Sequence, residues 1–93
     1  MKLIDLNIWQ GRIIRHIVPF LQQEKPDIVC LQEMLSTEGR FIIPGWDCFS
    51  ALETLQEKLP ELKYWFYAPL FSYEVRGRKV TAGNAIGSRF PIS

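Results

Sequence analysis

Histidine and cysteine are scarce in this 93-residue chain, which contains one histidine and two cysteines. Two cysteines are too few for a disulfide framework, and their spacing does not match a zinc site. Cys30 and Cys48 are therefore expected to be free thiols in a reducing compartment. The formal net charge is only +1. The chain therefore has no overall field that would attract nucleic acid or an acidic membrane, and anion binding must come from local clusters.

Long apolar runs are absent as well. The N-terminal segment MKLIDLNIW is interrupted by Asp5 and Asn7 before it reaches the length of a signal peptide, and no segment approaches the length of a membrane span. Repeats, low-complexity tracts and domain linkers are also missing. These absences predict a cytoplasmic protein of one domain at most. The hydrophobic fraction of 47% is that of a folded globular chain.

The first third of the chain has the pattern of a strand, a helix and a second strand. Residues 2–7 alternate between apolar and polar side chains, and an apolar stripe from Ile13 to Leu21 predicts a helix that runs to about Glu24. Pro19 lies inside this stripe and should kink the helix or split it into two turns. The run from Ile28 to Leu31 has no polar alternation, so it predicts a strand covered on both faces, as in a parallel α/β sheet. A unit of about 30 residues fits a βαβ crossover.

The remaining sequence predicts a helix followed by antiparallel strands. Residues 36–40 and 44–45 are loop-like, and Ser50 to Glu53 has the form of a capping box at the start of a helix that ends before Pro60. The aromatic strand at residues 64–67 is expected to be closed by Pro69. Residues 71–75 and 80–86 then flank a turn at residues 76–79, which predicts a hairpin with a basic tip.

Two groups of side chains in this region have both a structural and a functional interpretation. The basic turn, with Arg89 expected nearby, is more simply a solvated turn than a phosphate contact. The aromatic residues Trp65, Tyr67 and Tyr73 are expected to be core, although they are also of a type that stacks on nucleic-acid bases or on a lipid head group.

Asn7 and Glu33 are predicted to end the two neighbouring parallel strands. The carboxyl ends of such strands lie on one edge of the sheet, where open α/β sheets bind ligands. One carboxylate and one amide oxygen with open positions suit Mg²⁺, which retains water and accepts phosphate oxygens. The alternative is that Gln32 and Glu33 are merely solvated and that Asn7 caps its own turn.

Three segments carry a resemblance to a known family: LNIWQGR after the first strand, PDIVCLQE after the first helix, and GNAIGSRFPIS at the end. In this order and spacing, they resemble the N-terminal part of the endonuclease/exonuclease/phosphatase superfamily. That family includes DNase I-like and exonuclease III-like nucleases, sphingomyelinases, inositol polyphosphate 5-phosphatases and deadenylases. The resemblance implies an α/β fold in which residues 1–93 form a partial domain. This domain would be the N-terminal half of a four-layer DNase I-like sandwich, with a mixed sheet and two helices.

The resemblance also implies roles for particular residues. Glu33 matches the glutamate that ligates the divalent metal, and Asn7 matches the asparagine near the metal and the phosphate. The implied cofactor is Mg²⁺, with Mn²⁺ as an alternative, and the implied reaction is hydrolysis of a phosphodiester or a phosphomonoester. The choice among a nucleic acid, a phospholipid head group and an inositol phosphate stays open. Asp5, two residues before Asn7, is a candidate for the outer shell of the site.

Other residues that the family uses lie in its later half and are missing from this chain. They are a second Asp-x-Asn motif and a terminal Asp-His pair, so the isolated chain is expected to be inactive. The single histidine, His16, is expected at the surface. Two short helices cannot cover both faces of the sheet. The chain should therefore be covered by a missing C-terminal half or should self-associate. The rival interpretation is a non-catalytic α/β binding or assembly module.

Overall fold

Four strands and two α-helices make up the fold of the computed structural model, which describes residues 1–9, 14–37 and 47–92. The predictions for Ile13, for residues 38–40 and 44–45 and for the side chain of Cys48 lie outside the described residues. Within the described residues, no helix is both long and apolar enough to cross a membrane. In chain order the elements are β1 (Leu3–Asn7), α1 (Ile14–Glu24), β2 (Ile28–Thr37), a short 3-10 helix (Asp47–Ser50), α2 (Ala51–Lys58), β3 (Tyr64–Val75) and β4 (Arg78–Ser88).

The strands form one mixed sheet in the order β1-β2-β4-β3. β1 and β2 pair in parallel, from Leu3 opposite Ile28 to Asn7 opposite Gln32. β4 is antiparallel to both β2 and β3. The parallel pair joined through α1 is the predicted βαβ unit, and the β3–β4 pair is the predicted hairpin. The mixed sheet with two helices is confirmed.

The main core lies between the two helices and one face of the sheet. α1 and α2 both have apolar residues at helical spacing, and these side chains pack against alternate residues of β2 and against β4. α1 runs through Pro19 as a single helix. The predicted split is therefore not seen, because apolar residues on both sides of Pro19 pack into the same core. The buried members of this core are Ile8, Ile14, Ile17, Leu21, Val29, Leu31, Met34, Ala51, Leu52, Leu55, Leu59, Leu62 and Ala85.

Two strands are longer than the sequence predicted. β2 continues past Glu33 to Thr37, and β3 continues through Pro69 to Val75. In both cases a register shift lets the strand resume pairing, between Leu31 and Met34 in β2 and just after Pro69 in β3. Proline is tolerated in β3 because this strand lies at the edge of the sheet. The prediction that Glu33 and Pro69 end their strands is therefore wrong, because a β-bulge at each position lets the strand continue.

Glu53 connects α2 to the end of β2. The predicted capping box is wrong, since Ser50 makes no side-chain capping hydrogen bond to α2. The Glu53 carboxylate instead accepts hydrogen bonds from Ser36 Oγ at 2.6 Å and from the Thr37 backbone N–H at 3.2 Å. The helix ends at Lys58, before Pro60, as predicted. The Ser-x-x-Glu pattern thus stabilises tertiary structure rather than the helix terminus.

The opposite face of the sheet carries large apolar side chains that no described element covers. We call it the open face. The register Asp5–Cys30–Ile86–Phe66 runs across all four strands on this face. Phe66 is 57% exposed and Ile86 is 36% exposed. Among the residues that the structure describes, this side of the sheet is packed only beyond the β2 bulge, by a small cluster of Leu35, Phe49, Val80 and Ala82. A sheet with one face uncovered by the described elements agrees with the partial domain that the resemblance implies.

Tyr67 gives the fold a pH-dependent contribution to its stability. Its hydroxyl lies 2.8 Å from Thr81 Oγ1 in a partly buried position. Burial raises the pKa of Tyr67 above 10.0, and the nearby Glu53 charge adds to this, while the hydrogen bond with Thr81 acts in the opposite direction. When folding raises the pKa of a group, the group contributes fully to the stability of the folded state at pH values below its unfolded pKa. This contribution is lost as the pH rises through the folded pKa.

We therefore expect the free energy of unfolding to fall as pH rises above about 10. The fall should be smaller in Tyr67→Phe, which has no phenolic proton to lose. Urea unfolding of both proteins between pH 8 and pH 11 measures the difference, with Tyr64→Phe on the open face as the control. A pH dependence that is the same in the wild type and in Tyr67→Phe would contradict this assignment.

Candidate functional site

The carboxyl end of β1 is shaped by a turn that Asn7 itself closes. Asn7 Oδ1 accepts a hydrogen bond from the Trp9 backbone N–H at 2.8 Å. The Ile8 backbone N–H donates to the Gln32 carbonyl at 3.1 Å, so the chain stays attached to β2 just past the strand end. The structure therefore shows the alternative role expected for Asn7, the capping of its own turn. Since a carbonyl oxygen has two lone pairs and the amide has two N–H donors, Asn7 retains capacity for a ligand.

Glu33 lies in the β2 bulge rather than at the end of the strand, which corrects the sequence prediction. Gln32 and Glu33 together fall opposite Asn84, between the pairs Leu31–Ala85 and Met34–Gly83. Glu33 has a φ of 57°, in the left-handed region, and its side chain is exposed. Its carboxylate makes no hydrogen bond or ion pair with the described residues. The bulge thus presents a carboxylate that is unpaired within the described part of the chain, at the level where β1 ends.

A line of polar side chains crosses the open face beside this bulge, and we call it the polar row: Asp5, Asn7, Gln32 and Asn84. Asn7 is the neighbour of Gln32 in the parallel ladder, and Gln32 Nε2 donates to Asp5 Oδ1 at 2.5 Å. Asn84 follows on β4 across the bulge. Asp5 thus contacts Gln32 rather than a residue expected to hold the ion, and its outer-shell role stays a prediction.

Asn84 is the member of the polar row that the sequence did not single out. It lies within the GNAI segment, for which the sequence predicts a strand and no ligand. A signal was nevertheless available, because asparagine is depleted in strands and Asn84 interrupts a strand between Thr81 and Ile86. Its exposed carboxamide has no side-chain partner within the described residues.

The two predicted site residues are close in the sheet but line different concavities. Glu33, Gln32 and Asn84 line a cavity of about 110 Å³ together with residues of β3 and β4. Asn7 lines a wide depression with His16 and other residues of β1 and α1. His16 is exposed, as predicted. The structure therefore places Asn7 and Glu33 at the same level of the sheet, where β1 ends, with Gln32 between them.

The donor set fits a hard cation that retains its water. No three His, Cys, Asp or Glu side chains are clustered within the described ranges, so these residues do not form an all-protein cage. The Glu33 carboxylate, which has no partner in the described ranges, and the nearby carboxamide oxygens form the oxygen-only set that Mg²⁺ accepts, with water and phosphate completing the shell. Zinc sites are built mainly from Cys and His ligands, and the polar row contains neither residue type.

The other candidate groups of the sequence lie away from this edge. Arg89 is at the opposite end of β4 from the basic turn and forms an ion pair with Asp27 at 3.6 Å, so its expected place near that turn is wrong. Trp65 and Tyr67 pack against the main core and Tyr73 against the small cluster, as expected for core aromatics.

Fold and site together define an α/β protein with a candidate oxygen-ligand site at the carboxyl edge of its parallel strands. The sequence profile of the Endonuclease/Exonuclease/phosphatase family matches residues 6–93, and the chain therefore belongs to this family. None of the curated proteins matches the sequence significantly.

A solved structure supports the fold. It is described as an endonuclease/exonuclease/phosphatase family protein from Leptotrichia buccalis C-1013-b, and it is similar to this chain with a TM-score of 0.58 and 21% sequence identity. The similarity covers 100% of this chain and 39% of that chain. The 93 residues thus have the fold of part of a larger family member.

Proposed function

We propose that this chain is the N-terminal part of an Mg²⁺-dependent phosphohydrolase, with Mn²⁺ as an alternative ion, that acts on a phosphodiester or a phosphomonoester. Family membership supports hydrolysis of a phosphate ester. The observation that carries the proposal is the exposed Glu33 carboxylate, held in a bulge and without a partner among the described residues.

Each residue of the site has a distinct part in this proposal. Glu33 would hold the ion, and Asn7 would orient the ion or the phosphate, because its bond to Trp9 fixes the plane of the carboxamide. Asp5 positions Gln32 between them through the hydrogen bond from Gln32 Nε2. A divalent ion supplies polarisation of the phosphate for attack by water. We expect the 93-residue chain alone to bind ion and ester without turnover, because the acid/base pair of the family lies in its later half.

Replacement of Glu33 by Gln tests the ion site. The substitution retains the size of the side chain and removes its charge, so we expect Mg²⁺ affinity to fall at least about tenfold from a millimolar value. A titration followed by NMR chemical shifts of the backbone amides measures both affinities. The matched control is Glu74→Gln, which removes an exposed carboxylate near the hairpin tip. Equal affinity in wild type and Glu33→Gln would remove Glu33 from the site.

The open face supports a second candidate function, that of a non-catalytic assembly module. Large apolar side chains cross this face, and an exposed patch of this kind is typical of a protein–protein contact. For the chain alone, the proposed cover is a second copy, which brings two such faces together. An assembly module should associate and show no effect of Glu33→Gln on Mg²⁺ binding, and this separates it from the hydrolase.

A further inference from the structure

Two β-bulges lie at the same level of the sheet, on either side of β4. The β2 bulge places Gln32 and Glu33 opposite Asn84, and the β3 bulge leaves Leu70 unpaired between Pro69 and Phe71, next to Gly83. Bulges next to functional sites redirect side chains. Here they place Leu70 and Phe71, which we call the apolar pair, on one side of the cavity and Glu33 on the other.

The apolar pair is unusually exposed for its size. Leu70 is 69% exposed and Phe71 is 55% exposed, whereas the neighbouring Ala82 in the same cavity is 2% exposed. The Phe71 ring is stacked on Tyr73, with ring centroids 6.3 Å apart and planes inclined by 27°. This contact favours one orientation of the ring, which lowers the ordering cost of ligand binding. Trp65, Tyr67 and Tyr73, the aromatics that the sequence indicated, lack such exposure.

We infer that Leu70 and Phe71 form a subsite that selects phosphate esters carrying one compact apolar ring beside the phosphate. The inference rests on the proposed function, since Glu33 would bring the ion and the phosphate to the same cavity. Its volume of about 110 Å³ compares with the cavity of about 150 Å³ that holds benzene in another protein. One ring therefore fits in part, whereas an extended acyl chain does not.

The polar side of the cavity fits the same ligand. Asn84 has an exposed carboxamide with no side-chain partner among the described residues, and its N–H groups can donate to phosphate oxygens. Phosphate near Asn84 and Glu33 leaves the ester group directed toward Leu70 and Phe71, which line the remaining wall. The subsite thus distinguishes esters by the group attached to phosphorus.

Phenyl phosphate and methyl phosphate, titrated into the chain with saturating Mg²⁺, test this selection. NMR shifts of the backbone amides give both affinities. We expect phenyl phosphate to bind about tenfold more tightly than methyl phosphate, the effect of stacking one ring. Phe71→Ala should remove this preference and leave methyl phosphate binding unchanged. Phe66→Ala is the matched control, because Phe66 has a similar exposure of 57% on the same strand and does not line the cavity.

The outcomes separate the subsite from the proposed function. Equal binding of the two esters, with both still dependent on Mg²⁺ and Glu33, would overturn the subsite alone. If Phe66→Ala and Phe71→Ala reduced the preference for phenyl phosphate equally, the preference would belong to the open face in general. That result would also overturn the subsite. Binding of neither ester in the presence of Mg²⁺ would overturn the subsite together with the proposed function. Both variants change exposed side chains, and far-UV circular dichroism verifies that they fold.

Discussion

Gly83→Ala should unfold the protein or destabilise it by at least about 3 kcal/mol. Gly83 lies where the β2 and β3 bulges both press against β4. A Cβ atom there would overlap the Ala68 carbonyl oxygen and would lie 2.7 Å from Pro69 Cα. Both neighbours are backbone atoms of β3, so the clash is relieved only if the edge strand separates from β4. Chemical denaturation followed by circular dichroism measures the loss.

Gly77→Ala is the matched control for this variant. Gly77 has a φ of 77° in the hairpin turn, and nothing lies within 4 Å of an added Cβ atom. The cost there is only that of a left-handed alanine, about 1–2 kcal/mol. Equal destabilisation by the two substitutions would contradict this prediction, because it would show that the overlap at position 83 costs no more than a left-handed alanine. The close approach of the β3 backbone would then not limit the size of the side chain at position 83.

The chain alone should self-associate, and the double substitution Phe66→Lys with Ile86→Lys should raise the dissociation constant roughly a hundredfold or more. Phe66 and Ile86 are direct partners across the β3–β4 ladder on the open face. Burial of each such side chain contributes about 1.5–3 kcal/mol, and two lysines would also place like charges at the contact. Sedimentation equilibrium over a range of protein concentrations measures the change.

Phe90→Lys serves as the control for association, since Phe90 is 49% exposed and follows the end of β4. It adds the same charge and removes a similar apolar area outside the open face. A wild-type chain that is monomeric at all concentrations and does not bind an apolar dye would contradict the assembly interpretation. An equal effect of Phe90→Lys would show that the contact does not involve the open face.

The elements with a regular hydrophobic period were predictable from the sequence. The period of α1 and the unbroken apolar run of β2 depend on local spacing, and their order fixes the parallel pair. The proximity of Asn7 and Glu33 could be predicted for the same reason, although Glu33 lies inside β2 rather than at its end. The Leu52–Leu55 spacing likewise identified the buried side of α2.

The bulges could not be predicted in the same way, because they arise from the match between strands distant in sequence. Gln32–Glu33 and Pro69 have the local signature of strand ends, and only the pairing with β4 shows that both strands continue. Glu53 is a similar case. Its spacing from Ser50 predicts a helix cap, whereas in the folded chain its carboxylate accepts hydrogen bonds from Ser36 and Thr37, which are distant in sequence. The subsite residues Leu70 and Phe71 were missed because their exposure depends on the β3 bulge.

The left-handed backbone of Glu33 carries an evolutionary consequence. An L-residue in this region costs about 1–2 kcal/mol, and glycine would adopt the same conformation without that strain. A lineage that no longer needs the carboxylate could exchange it for glycine and lose this strain, and selection for stability should favour that exchange. An acidic residue kept at this position across relatives would therefore indicate continuing selection for the carboxylate, and glycine in its place would indicate that the chemistry had been lost.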